Sequence, residues 1–476
     1  MLYVTETVGR GRGLFVEDSW SAGIAIGDFE PYVWIVSEED SWSAGIAIGD
    51  FEPYVWIVSE GKLSSICANC ATCADDIKRC SLCKRVYYCS AKCQSLDWKT
   101  FHRLECRALC HFGDELPSDL LRIGARCIWR RNQERAVKES NSILTDFNHL
   151  FSNYENVSEK LKCEIASTIM SLQLYMNVEL AAYFESPREL IEFMLRITVN
   201  GIEITNEELQ TIGFAIFLTP SLINHSCKPN CFFNFRRNGI LSIRVLEDIE
   251  ADEELTVSYV DLLSPKAERQ EQFTSQYFFI CNCIVCSDSS VDRRMLSRYC
   301  TNCKDGICEF ESDCLRSCNN CDGNGNIEFN CLSRISRIQE NDNAEIRLKK
   351  LRELREKALL LLPVDHLHWY TLYQQLAEES LLLKDYTNQL VYERNLLEIL
   401  CSYLQKSHPL IAIQSARITK LLAYLGDFHE AINQSDKTIS LAKVCFGVTC
   451  DLVNDMKMTK YNCERERKTP KNLLRK

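Results

Sequence analysis

The 476-residue chain has no run of 18 or more apolar residues, so no membrane-spanning helix is expected. Its first residues, MLYVTETVGRGRGLF, lack the charged start and apolar stretch of a secretory signal. An excess of positive charge is missing as well, since 55 Lys and Arg stand against 66 Asp and Glu for a net charge of -11. That argues against a global phosphate-binding surface and against sequence-specific DNA binding, for which only local basic residues speak. The low hydrophobic content of a disordered chain is absent too: 46% of residues are hydrophobic and 25% charged, as in globular proteins. The length predicts about three domains.

Cysteine is abundant. There are 27, and 23 of them lie between Cys67 and Cys331, many in C-x-x-C or C-x-C pairs. A disulfide scaffold of a secreted protein is usually small and carries a signal, so this pattern predicts a reduced compartment and several zinc (Zn2+) sites.

Residues 17–38 and 39–60 are identical, each reading EDSWSAGIAIGDFEPYVWIVSE. A solenoid needs three or more repeats, so two identical copies indicate a recent duplication or an assembly error rather than a repeat fold. Each copy holds a turn (SAG), a short strand (IAI) and a second strand (YVWIV). A Cys-rich block, Cys67–Cys106, follows. Helical spacing runs from about Leu120 to Phe193, and short strands are expected over Ile202–Tyr259. From about Ile335 the pattern is helical again. There, LLAYLGDFHEAINQSDKTISLA has a weak tetratricopeptide-like (TPR-like) break, with simple bundle helices as the alternative. The tail Lys457–Lys476 reads as basic and frayed.

The Cys67–Cys106 block spaces its donors as Cys67-x2-Cys70-x9-Cys80-x2-Cys83-x5-Cys89-x3-Cys93-x8-His102-x3-Cys106. Eight donors in four pairs suit two tetrahedral zinc sites, because each short pair can turn back on one metal. His102 and Cys106 are four apart and share a face if Cys93–Cys106 is helical. Cys73 is an extra thiol that competes with Cys70.

The block resembles a MYND zinc finger, with Tyr87, Tyr88 and Trp98 matching beside the donors. By that resemblance Cys67, Cys70, Cys89 and Cys93 hold one zinc, and Cys80, Cys83, His102 and Cys106 the other. Around it stand GRGRGL (Gly9–Leu14), SLINHSCKPNC (Ser221–Cys231), DEELTVSYVDLL (Asp252–Leu263) and SQYFFICNCIVC (Ser275–Cys286). These segments, in this order and with the finger inserted, resemble the SET-and-MYND (SMYD) family of protein lysine methyltransferases.

The resemblance implies an α+β multidomain fold. A β-rich SET domain (1–63 and 201–263) would be split by the finger (64–107) and a helical insertion (108–200). A post-SET zinc segment (264–290), a Cys-rich stretch (291–334), a helical TPR-like C-terminal domain (335–450) and a basic tail (451–476) would follow. S-adenosyl-L-methionine (AdoMet) would be contacted by Arg10, Gly11, Arg12, Asn224 and His225, with Tyr277 and Phe279 as an aromatic wall. Asn153 matches a family AdoMet contact, with a surface cap or turn as the alternative. Cys227, Cys281, Cys283 and Cys286 would hold a third zinc.

Tyr259 would be catalytic, bordering the point of methyl transfer. An aromatic channel suits that chemistry: a lysine ammonium has no lone pair, and a dry channel lowers its pKa. Two positions depart from the family. Ile202 stands where Phe lines the lysine channel, which widens it, and Asp252 stands where Gly is usual before EEL.

Cys300-x2-Cys303-x14-Cys318-x2-Cys321 is close to a zinc-ribbon spacing, with Cys308, Cys314 and Cys331 as competitors and a reduced linker as the alternative. The expected activity is AdoMet-dependent methylation of protein lysines, histone or non-histone, in cytoplasm and nucleus. The other reading is a non-catalytic adaptor, the finger binding proline-containing peptides and the C-terminal domain a chaperone or client.

Overall fold

A computed structural model describes residues 2–7, 11–16, 48–113, 115–137, 146–249, 253–311, 314–325, 330–339 and 342–468. Arg10, Asp252 and the first repeat copy, 17–38, lie outside these.

The chain opens with an antiparallel hairpin of β1 (Leu2–Thr7) and β2 (Gly11–Val16). The second repeat copy supplies β3 (Ile48–Phe51) and β4 (Val55–Val58). All four residues of β4 are buried, and its alternation serves two cores. Val55 and Ile57 join the core of the finger and helices, whereas Trp56 and Val58 join that of the strands.

The finger contributes the short pair β5 (Lys78–Arg79) and β6 (Tyr87–Tyr88), then α1 (Ala91–Asp97), a widened turn at Trp98–His102, and α2 (Arg103–Phe112). The helical insertion is α3 (Asp119–Val137), α4 (Glu159–Met176) and α5 (Pro187–Asn200). Ser186 caps α5 by accepting from Glu189 N, with Pro187 at its first turn.

The remaining SET strands are β7 (Gly201–Thr205), β8 (Thr211–Ile216), β9 (Asn224–His225), β10 (Cys231–Phe235), β11 (Leu241–Val245) and β12 (Thr256–Val257). They form the antiparallel sheets β4–β8–β7 and β10–β11–β3 and the parallel pair β9–β12.

The post-SET segment holds α6 (Lys266–Gln272), α7 (Ile284–Ser287) and α8 (Ser289–Leu296). Two small hairpins follow: β13 (Arg298–Tyr299) with β14 (Ile307–Cys308), and β15 (Phe310–Glu311) with β16 (Cys314–Leu315).

The C-terminal region is helical, with α9 (Cys331–Gln339), α10 (Ala344–Leu359), α11 (His368–Leu382), α12 (Tyr386–Tyr403), α13 (Pro409–Leu425), α14 (Phe428–Phe446) and α15 (Asp451–Lys468). From α10 onward each helix packs on the next, apart from the small first member α9, which packs on α10 and α11. Gly426, at φ 83°, ends α13, and Asp427 then caps α14 by accepting from Glu430 N. The tail expected to fray from Lys457 instead continues α15 to Lys468, because Val453, Met456 and Cys463 are buried. Among the described residues no helix is long and apolar enough to cross a membrane.

Candidate active site and metal centres

The two donor sets of the finger interleave along the chain and gather as two separate groups in space. Ligand atoms of Cys67, Cys70, Cys89 and Cys93 lie within 4.8 Å of one another, as do those of Cys80, Cys83, His102 and Cys106. Neighbouring atoms are 3.6 Å apart for Cys70–Cys89, 3.5 Å for Cys89–Cys93, 3.8 Å for Cys80–Cys106 and 3.6 Å for Cys83 to His102 Nε2. A tetrahedron of sulfurs about 2.3 Å from zinc has edges of about 3.8 Å, so both sets fit that ion. Cys73 is exposed and outside both sets. Local structure sets these positions: Ser90 caps α1 by accepting from Cys93 N, and the widened turn carries His102 back over Tyr88.

A buried ionic network bolts this finger to the SET strands. Glu105, beside the donor Cys106, accepts from Arg122 Nε at 3.1 Å and from Arg126 Nη2. The same guanidiniums donate to Val58 O at 2.7 Å and Trp56 O at 2.8 Å on β4. Burial pushes the Glu105 carboxyl up, but the Arg126 and Arg122 charges win and hold it well below the usual carboxylate range.

The expected AdoMet and catalytic residues gather around β9 and β12. Asn224 pairs with Thr256 and His225 with Val257. Asn224 Nδ2 donates to Glu254 Oε1 at 2.7 Å. Glu254 also bridges Phe15 on β2, and Leu255 N donates to Leu14 O at 2.8 Å. The glycine-bearing strand, with Gly11 opposite Thr7 and Arg12 opposite Glu6, is thus tied to the Asn224 side.

Tyr259 is anchored twice. Its N–H donates to His225 Nδ1 at 3.0 Å, and its hydroxyl donates to Ile223 O. His225 Nε2 meets Cys227 Sγ at 3.2 Å, so the imidazole is occupied on both nitrogens.

Around Tyr259 stand Tyr277, with ring centroids 4.9 Å apart, and Phe279, at 6.5 Å. Phe273 stacks on Phe279 at 5.0 Å and lies 4.4 Å from the His225 ring. Burial pushes the Tyr259 phenol up, and burial with the Glu203 charge takes Tyr277 to about 12.

The wall is pinned by the third donor set. Cys227, Cys281, Cys283 and Cys286 bring their sulfurs within 4.8 Å, with Cys227–Cys286 at 3.6 Å, which fits zinc. Gln270 clamps the Cys281 backbone, donating to its O at 2.6 Å and accepting from its N at 3.1 Å.

A family model described as the SET domain matches residues 11–260, more than half of the chain. The chain is 30% identical over 286 residues to N-lysine methyltransferase SMYD2-B of Danio rerio, covering 60% of this chain and 59% of that protein. It is 26% identical over 407 residues to histone-lysine N-methyltransferase SMYD3 of Mus musculus, covering 85% of this chain and 89% of that one. The chain belongs to the SMYD family of SET-domain proteins.

In this SMYD chain Ile202 is half-buried and packs in the same core as Tyr259. Glu203 beside it is exposed and accepts from Thr211 Oγ1 at 2.6 Å. Asn153, at φ 52°, precedes a short turn and lines a cleft of about 390 Å³ with Tyr154, Arg188 and Arg196. No member of the Asn224–Tyr259 group lines that cleft. The loop before it docks on α5 through Asn200 Nδ2 donating to Phe151 O at 2.8 Å.

Sequence reasoning missed Glu254, Phe273 and Gln270. The EEL motif held a signal for Glu254; Phe273 and Gln270 matter only through packing across the post-SET segment.

Proposed function

We propose that this chain is an AdoMet-dependent protein-lysine N-methyltransferase. Membership in the SMYD family carries the enzyme class, and one observation carries the site. Tyr259 is held by Ile223 O and His225 Nδ1 inside an aromatic box, next to Asn224.

AdoMet, when bound, supplies a methyl group made electrophilic by its sulfonium. Asn224 and the backbone of His225, with the β2 strand behind Glu254, form the side that would hold it. Arg10 and Arg12 complete that side in this reading. The electron-rich faces of Tyr277 and Phe279 suit a sulfonium cation.

Because the Tyr259 proton is spent on Ile223 O, its oxygen accepts. That oxygen would orient the substrate amine and would be free to accept weak C–H···O contacts from a methyl brought to the site. The buried rings exclude water and disfavour an ammonium in the channel, so the amine arrives neutral. Holding donor and acceptor in line lowers the barrier by fixing their geometry in advance.

The substrate class is a protein lysine, histone or non-histone. A proline-containing peptide at the finger, a chaperone at the C-terminal helices, and work in cytoplasm and nucleus belong to the same reading. Titration calorimetry of zinc-replete protein with AdoMet tests it, on this chain and on a version lacking one 22-residue copy. Both should bind, since the described sheets use one copy. Folded protein that binds no AdoMet in either form would favour the adaptor.

A further inference from the structure

Beyond the finger and the post-SET set lies a fourth group of donors that the proposed reaction does not use. Sulfurs of Cys300, Cys303, Cys318 and Cys321 lie within 4.8 Å of one another. Cys300–Cys321 is 3.6 Å and Cys303–Cys318 is 3.5 Å, far from the roughly 2.05 Å of a disulfide and near the roughly 3.8 Å edge of a zinc tetrathiolate.

The surrounding backbone is built for thiolates. Each sulfur accepts a main-chain N–H: Cys300 from Asn302 at 3.4 Å, Cys303 from Gly306 at 3.3 Å, Cys318 from Asn320 at 3.3 Å and Cys321 from Gly323 at 3.4 Å. Such donors stabilise the charged form of the ligand.

The two loops also match each other. Cys300 N donates to Gly306 O and Cys318 N to Gly323 O, both at 2.8 Å. A Cβ on Gly306 would stand 2.2 Å from the Cys318 sulfur, and one on Gly323 would stand 2.8 Å from the Cys300 sulfur. The backbone is bare where the sulfurs converge. Two facing knuckles of this kind would bring four like charges together without an ion.

The group sits at a junction. Tyr299 N donates to Leu361 O at 2.9 Å, and Leu367 N donates to Met295 O at 2.9 Å. It therefore stands between α8, which follows the third donor set, and the loop joining α10 to α11. We propose that Cys300, Cys303, Cys318 and Cys321 hold a fourth zinc ion, which fixes the connection between the post-SET segment and the C-terminal helices.

The test uses the full-length protein. Metal analysis should give four zinc ions per chain, and Cys318→Ser should give three while Cys308→Ala keeps four. N-ethylmaleimide mapping of the unmutated protein should leave these thiols unlabelled while the exposed Cys110 and Cys163 react. Lys304 and Arg316 are already exposed, so zinc loss in Cys318→Ser should loosen the backbone beside them and speed tryptic cleavage there relative to the parent, whereas a metal-free linker would be cut equally fast in both. Labelling of Cys300–Cys321 in the unmutated protein as fast as Cys110, or a disulfide among the four, would overturn the proposal.

Discussion

In the proposed reaction Tyr259 concentrates the chemistry in one hydroxyl, whose proton is committed to Ile223 O. Tyr259→Phe removes the accepting oxygen and is expected to lower kcat by roughly 100-fold, the scale of a small misplacement at the reacting atoms. Zinc content should stay unchanged, and the lost bond to Ile223 O should cost only about 1 kcal/mol of stability. Burial holds the phenol above its ordinary value near 10, so Tyr259 remains protonated through neutral and mildly alkaline pH. A rise of activity with pH through the neutral range therefore does not come from Tyr259, and the profile of the surviving Tyr259→Phe activity should keep the same midpoint. Ile202 sits in the Tyr259 core at the place where the family channel has Phe. Ile202→Phe narrows the channel, and mass spectrometry of the product should show fewer methyl groups per lysine.

At the scale of elements, the seam between α2 and α3 decides how the finger meets the SET strands. Its two arginines serve two masters each, Glu105 and a β4 carbonyl. Glu105→Gln leaves Arg126 with Asp97 at 3.7 Å and Arg122 with Asp119 at 3.9 Å as their remaining acidic partners, and is expected to destabilise the protein by about 3 kcal/mol. Denaturant unfolding checks this. The sign with pH follows from the depressed carboxyl: its contribution is present above the ordinary carboxylate range and is lost as pH falls through a value well below 4.5. Acid sensitivity should therefore be weaker in Glu105→Gln than in the parent chain.

For the whole molecule, the C-terminal helices are moored to the SET strands around the buried cation of Arg244. Arg244 on β11 donates to Lys443 O at 3.0 Å and Val444 O at 3.2 Å, satisfying carbonyls at the end of α14. Phe232 meets Phe446 edge-on at 6.1 Å beside it, and Gln405 Nε2 donates to Pro229 O at 2.8 Å. Arg244→Met keeps the volume and removes these bonds, at a cost of about 2 kcal/mol. Small-angle scattering should then show a larger radius of gyration, while AdoMet affinity stays close to that of the parent.

Much of the site was legible because its signals are local. Cysteine pairs a few residues apart can turn back on one metal, so spacing pointed to metal donors, while the grouping of the pairs into sets came from the resemblance to the family. Asn224, His225 and Tyr259 lie within short motifs whose order along the chain identified the family. The stretch from Lys457 reads as a frayed tail because Cys463 is its one inward residue among the described ones, a weak pattern in a basic segment until the neighbouring helices cover it.

Other features needed the fold. Glu254 reaches Asn224 across 30 residues, Arg126 reaches Trp56 across 70, and Arg244 reaches Val444 across 200. No periodicity records such pairings, since each depends on which strand and helix ends come to lie together. Sequence alone pointed to the candidate metal donors, the family and the tyrosine proposed to act, because those rest on residue type and on short motifs in a fixed order. Tertiary structure alone decided which copy of the repeat builds β3 and β4, where Asn153 lies, and how the finger and the C-terminal helices are held to the strands. Those are outcomes of long-range packing.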